Sequence, residues 1–325
     1  MASRGQVNWD LPGPVNMRSA LILETIAEMV RPRWFPAPVV QVNLGRLGQD
    51  GGFKVSSEDG ADLVPLVARG EIDVAMLNPS ALLHAAYYGT GPYAEPHPML
   101  RAISVMPSLD WFIFAVTEKT GLTSLAEVKD RRYPLRISIR PPAALKMYVD
   151  ATLRAYGFSL EDVVSWGGSV SYDRAMPFLP ERYERVKRDE IDAIFDEGVA
   201  RFIPMLADLG MRILPLEEPI LQQMDAIHLQ RHVLPRSLFP MLPVDIPTLD
   251  FSGWPVYTRV DAPDDLVYQF CRALDARKAS IPWEAPGPLP TGDMCRDTPS
   301  GPLKIPLHPA AERYWREAGY LGDSA

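Results

Sequence analysis

The sequence predicts an α/β protein of two similar lobes that face a shared cleft, and three observations carry that expectation. The first is the stretch 63–88, LVPLVARGEIDVAMLNPSALLHAAYY, which reads as an amphipathic helix, Gly70, a short apolar strand, the polar tip Asn78-Pro79-Ser80 and a second helix. Such a βα unit carries its polar groups at the carboxyl end of a strand, where open α/β sheets place ligands. The second is an echo: Glu190-Ile191-Asp192 repeats Glu71-Ile72-Asp73, again with a helix before it and an apolar strand, a polar tip and a helix after it. The third is a pair of segments, WFIFAV at 111–116 and TLDFSGWPVYTRV at 248–260, whose apolar runs suit buried strands crossing between lobes. Together they divide the chain into a discontinuous first lobe, residues 1–114 and 256–325, and a second lobe, residues 115–255.

Taken in order, residues 16–30 place apolar side chains at helical spacing up to Pro32, which predicts a first helix. PVVQVNL at 38–44 reads as a strand by its β-branched run. The following GRLGQDGG lacks the Lys-Ser/Thr of a phosphate loop and is expected to be a flexible loop. After the opening motif, RAISVM is a strand, and TGLTSLAEVKD is a turn feeding a helix that Thr123 caps. LRISIR is a strand, Pro141-Pro142 opens the helix LKMYVDATLRAYGF, and Gly157 ends it. RILPL adds a strand, 215–250 is a Pro-punctuated segment, and PDDLVYQFCRALDARKASI is a capped amphipathic helix. IPLHPAAERYWREAGYL brings a proline loop into a last helix.

Composition excludes several classes of function. The 325 residues hold 33 basic and 41 acidic side chains, a net charge of −8 without a basic cluster, which argues against nucleic acid and anionic membrane as partners. Two cysteines, Cys271 and Cys295, exclude a disulfide framework and a zinc site of their own, while leaving a single bridge open. Cys271, among apolar neighbours at helical spacing, reads as an inert buried thiol. No apolar run spans a bilayer, so direct membrane insertion is not expected. The amino terminus, MASRGQVNWDLPG, lacks the apolar core of a signal peptide. The expected compartment is therefore the cytoplasm if the sequence is complete as given, and the periplasm if an export signal has been removed.

Candidate site residues lie at the strand tips. Asn78 and Ser80 end the first-lobe strand, with Ser80 set either to cap the next helix alone or, with that helix's free amides, to receive an anion. Arg140 ends its strand beside a helix start, so guanidinium and helix terminus can meet one carboxylate; the alternative is a surface arginine. Asp196 and Glu197 stand where Asn78-Pro79 stand in the echo, and can accept from hydroxyl or amine groups on a solute, hold a cation, or cap the helix after them. Ser252 and Trp254, in FSGW, offer a hydroxyl and an aromatic wall beside a close-approach glycine, or simply a packed hinge. Trp111 and Trp166 are further wall candidates or core. His228 and His232 share a face if their stretch is helical, but a third metal ligand is missing. His308 reads as a loop histidine bonded to backbone. No Gly-x-Ser-x-Gly elbow, Walker loop, Rossmann fingerprint or zinc-ligand cluster occurs, so neither a catalytic residue nor a cofactor is assigned.

The order GEIDVAMLNPS, TGLTSLAEVKDRRYPLRIS, IDAIFDEG and above all IPLHPAAERYWREAGY resembles the TAXI class of solute-binding proteins that serve TRAP transporters. The likeness runs from about residue 60 to the end. It implies the type II periplasmic-binding-protein fold, two α/β lobes joined by two crossing strands, and closure around a small, usually carboxylate-bearing solute delivered to TRAP membrane subunits. It also places Ser56 and Ser57 near the first-lobe ligand loop, although this chain has Glu58-Asp59 where the class offers Gly-Ser, and Arg140-Pro141-Pro142 where it offers a small Ser/Gly loop. The alternative is a cytoplasmic enzyme on the same fold, decarboxylase-like or biosynthetic, with Asp196 or Glu197 as general acid or base.

Overall fold

The computed structural model describes residues 17–30, 41–44, 53–56, 61–280 and 290–322. The elements run α1 (Met17–Val30), β1 (Gln41–Leu44), β2 (Phe53–Ser56), α2 (Leu63–Ala68), β3 (Val74–Met76), α3 (Ser80–Tyr88) and β4 (Leu100–Met106), then β5 (Trp111–Thr117), α4 (Leu125–Asp130), β6 (Arg136–Ile139), α5 (Ala143–Ala155), α6 (Leu160–Ser165), β7 (Ser169–Tyr172), α7 (Pro180–Lys187), β8 (Ala193–Glu197), α8 (Met205–Asp208), β9 (Met211–Ile213), α9 (Glu218–Ala226), β10 (Arg231–Leu234) and β11 (Ile246–Asp250). β12 (Trp254–Arg259), α10 (Asp264–Ala276) and α11 (Pro309–Glu317) complete the chain. The Pro-punctuated segment 215–250 thus holds a helix and two strands that its prolines obscured. The glycine loop 45–52 and Ser57 fall outside the described residues.

Two sheets form. The first has the order β1-β2-β3-β12-β4 and the second β10-β11-β5-β8-β6-β7, with β9 continuing the line of β11 along the same edge of β5. Each sheet keeps a parallel pair from its βα units, β2 beside β3 and β6 beside β8, so Asn78 and Glu197 leave or end strands of like position in the two lobes. The two-lobed type II periplasmic-binding-protein fold follows. β5 is buried over all seven residues and lies wholly in the second sheet, so the crossing itself is made by 107–110 before it and by 251–253 between β11 and β12.

Those crossings are bonded to each other. Ser252 Oγ donates to Asp110 O (3.0 Å) and accepts from Asp110 N (3.2 Å), Phe251 N donates to Asp110 O (3.1 Å), and Gly253 N donates to Ser108 Oγ (3.0 Å). Gly253 holds φ +83, and a Cβ there would run into Ser80 Oγ, Pro302 and Val105, so glycine is required at this point.

Caps follow the sequence with corrections. α4 is capped by Ser124, which accepts from Glu127 N (3.4 Å), while Thr123 Oγ1 instead donates to Glu127 Oε1 (2.5 Å). α10 starts after Pro263 with no side-chain cap. α5 ends as expected, Gly157 taking φ +78 and donating to Arg154 O. In the closing helix, His308 Nδ1 accepts from Ala310 N (3.2 Å) and Trp315 Nε1 donates to Ile103 O (2.9 Å), docking α11 on the first sheet. Cys271 and Cys295 are both free and buried in that same apolar cluster. The largest cluster runs without a break from Leu77 and Leu82 of the first lobe to Phe112, Leu145 and Tyr148 of the second, so the lobes meet.

Candidate functional site

Two strand tips and one helix start converge between the lobes. They line a narrow cavity of about 10 Å³, open at its mouth, with Asn78 and Leu82 on the first-lobe side, Arg140, Glu197 and the first turn of α5 on the second, and Phe251 at the crossing. Asn78 Oδ1 is buried without a hydrogen-bond partner among the described residues. The next position corrects the expected cap: Pro79 holds the cap site of α3 with no side-chain bond, and Ser80 is the first helical residue. Ser80 N donates to Ser252 O (3.3 Å), and its buried Oγ has no partner among the described residues.

On the second lobe the charges are already matched. Arg140 Nε donates to Asp196 Oδ1 (3.0 Å) and its Nη2 to Glu197 Oε1 (2.5 Å). Asp196 is fully buried; its Oδ1 also accepts from Glu197 N (2.8 Å), and its Oδ2 accepts from Arg182 Nη1. Arg182 is equally buried and spends its remaining donors on Ser138 Oγ (3.1 Å), Ser138 O (3.2 Å) and Ala175 O (3.0 Å). Two guanidinium groups therefore balance two carboxylates in a site too dry to hold an uncompensated charge. One layer deeper, Ser138 Oγ donates to Asp173 Oδ2 (2.6 Å) and Arg185 pairs with the same carboxylate (2.7 Å). Burial opposes the charge on Asp173, but bonds from Ser138 and Ser171 and the nearby Arg185 outweigh it and hold that carboxyl below its ordinary range.

Arg140 is thus not an open fork awaiting a solute. Among the described residues the uncommitted donors of this wall are backbone: α5 follows Pro142 with no side-chain cap, its first intrahelical bond is Lys146 N to Pro142 O (3.2 Å), and Ala143, Ala144 and Leu145, whose N–H groups precede that bond, line the cavity.

Other expected residues lie elsewhere. Ser56 ends β2, buried, with an Oγ that has no partner among the described residues. Trp111 is buried in the second-lobe core, where Nε1 donates to Val233 O (2.9 Å) and the ring stacks on His232 (5.7 Å); it is not a cavity wall. Ser252 ties the crossings together, and Trp254 packs on the first-lobe cluster beside β4. His228 follows α9 with φ +67 and His232 lies in β10, so they share no helical face. Instead the His228 ring sits 4.4 Å from that of His84. Phe251, within the FSGW stretch read for an aromatic wall, lines the cavity, whereas Arg182 and Leu82 were not singled out from the sequence. Arg182 stood in a polar helical stretch, and nothing local marks it as the buried partner of a residue 14 positions on.

Residues 40–319 match the NMT1-like family. The chain belongs to that family. Solved structures with a similar chain course include the alkanesulfonate-binding protein SsuA from Xanthomonas axonopodis pv. citri bound to MOPS, at 15% identity over 81% of this chain and 71% of that one, with a TM-score of 0.37. Another, described as a periplasmic transporter, shares 12% identity over 80% and 78% of the two chains at 0.41. A third, XAC2383 from Xanthomonas citri bound to a chloride ion, shares 15% over 80% and 81% at 0.40. At such scores the fold of this NMT1-like chain rests on its own sheet topology. Among its described residues no group of three His, Cys, Asp or Glu side chains is arranged to hold a metal ion, and no helix is long and apolar enough to cross a membrane.

Proposed function

We propose that this NMT1-like protein is a solute-binding protein whose lobes close around a small organic acid and deliver it to a membrane transporter. One observation carries the reading: Asn78, Arg140, Glu197 and the uncapped start of α5 meet in a single interlobe cavity. In this scheme the α5 amides take the carboxylate, with Arg140 adding charge from its place between Asp196 and Glu197. Glu197 and Asn78 Oδ1 accept from a hydroxyl or ammonium group elsewhere on the solute. A solute without such a donor leaves Asn78 Oδ1 buried and unpaired, which gives the site its selectivity. The resemblance to the TAXI class supports a TRAP-type transporter as the receiving partner and the periplasm as the compartment.

Native mass spectrometry and thermal shifts over a panel of small carboxylates, with and without hydroxyl or amine groups, test the reading. Donor-bearing acids are expected to bind and raise Tm, and Asn78→Leu to erase their advantage. A folded protein that responds to none of the panel overturns it. Turnover of a bound acid, lost in Glu197→Gln while binding persists, moves the assignment to an enzyme on the same fold.

A further inference from the structure

A second small cavity, about 10 Å³, lies beside the crossings and is lined from both lobes: Ser80 and His84 on α3 and Lys304 on the C-terminal segment face His228, Gln230 and Asp250. We propose that His84 and Asp250, on opposite lobes of this cavity, form a proton-linked latch that keeps lobe closure insensitive to pH. The proposal rests on the reading of the protein as a closing two-lobed device but not on the identity of its solute.

The geometry supplies the coupling. His84 is buried, its ring 4.4 Å from that of His228 across the lobe boundary and 4.8 Å from Tyr88 on its own helix. Asp250 ends β11 immediately before the crossing; its Oδ1 accepts from Ser252 N (3.2 Å), and its backbone carbonyl accepts from Tyr148 Oη (2.6 Å). The remaining charges around the cavity are Lys304 and Asp297, which pair with each other. Parting the lobes removes His228 from His84 and the first-lobe wall from Asp250, and admits water to both.

Burial acts on the two groups in opposite senses. It pushes the His84 imidazole down to about 4, helped by His228 and Lys304 and opposed by Asp297. It pushes the Asp250 carboxyl up to about 7, against the bonds from Ser252 and the charge of Lys304. Hydrated, the groups return toward their ordinary values, about 6.5 and 3.9. A histidine lowered on closing weakens closure as pH falls through about 6.5, because the open form takes up the proton. An aspartate raised on closing strengthens closure as pH falls through about 7, because the closed form takes it up. Between about pH 4 and 6.5 the open form holds imidazolium and carboxylate while the closed form holds both groups neutral. Closing then moves one proton from His84 to Asp250 in net effect, with none exchanged with solvent, and the two slopes cancel.

Nitroxides at Asp130→Cys on α4 and Asp265→Cys on α10, both exposed sites on opposite lobes, report the closed-to-open ratio of the solute-free protein by double electron–electron resonance from pH 7 to 5. The parent is expected to change by less than about threefold. His84→Gln makes the ratio rise by about tenfold per pH unit as pH falls, and Asp250→Asn makes it fall as steeply. Variant curves that overlay the parent, or a parent as steep as either variant, overturn the proposal. Imidazole and carboxyl NMR titrations of the protein without these substitutions stand in if a variant fails to fold: His84 far below 6.5 and Asp250 near 7 support the latch, and ordinary values for both overturn it. A failed solute screen leaves these outcomes untouched.

Discussion

Arg182 shows how much one side chain decides at the residue scale. Buried completely, it holds Asp196 in place, and through Asp196 it fixes Arg140 at the cavity wall. Arg182→Met is expected to cost about 3–5 kcal/mol in urea unfolding, because Asp196 and Arg140 lose their balance in a dry site. Trp111→Leu is expected to cost about 2–4 kcal/mol by opening a gap among His232, Phe239 and Val233 while leaving solute binding unchanged, since the ring lies outside the cavity. Asp250 makes a pH prediction. Its carboxyl is raised in the folded protein, so the native state holds its proton longer than the unfolded chain, and stability from this group is lost as pH rises from about 3.8 to about 7. Asp250→Asn is therefore expected to stabilise the protein at pH 8 by roughly 2–4 kcal/mol, and progressively less toward pH 4, in chemical denaturation. Arg140, Asp196, Glu197 and Asn78 were legible as strand-tip residues. That the first three pair with one another, and balance only with Arg182, was not, because ion pairing depends on which strands lie side by side.

At the element scale the crossings and the caps separate. Local signals placed most elements: β-branched runs for β4 and β6, Pro141-Pro142 before α5 and Gly157 after it, and the Pro-led closing helix. They failed where proline frequency masked α9, β10 and β11, and where Thr123 and Ser124 competed for one cap. Gly253→Ala is expected to cost about 1–3 kcal/mol, since φ +83 and the packed neighbours both reject a Cβ. The same substitution should speed hydrogen exchange most at α3 and the crossings, where the backbone bonds of Ser80, Asp110 and Phe251 depend on that turn. Protection unchanged at those amides, with unchanged stability, would falsify the hinge assignment.

For the whole molecule, closure around a solute is a linkage problem: at 100 times its Kd a solute that binds only the folded protein adds about 2.7 kcal/mol to stability, read directly as a rise in Tm. The two-lobed architecture was readable from sequence because each lobe repeats the same local grammar. A helix, Glu-Ile-Asp, an apolar strand and a polar tip occur twice, and strand period and turn chemistry are properties of neighbouring residues. The tertiary structure alone decided which tips share a cavity, that Trp111 and Ser252 serve core and hinge, and that His84 meets His228 rather than His228 meeting His232. These outcomes depend on contacts between residues far apart in the chain, whose burial sets the strength of every charge and hydrogen bond in them, and no local pattern encodes that burial.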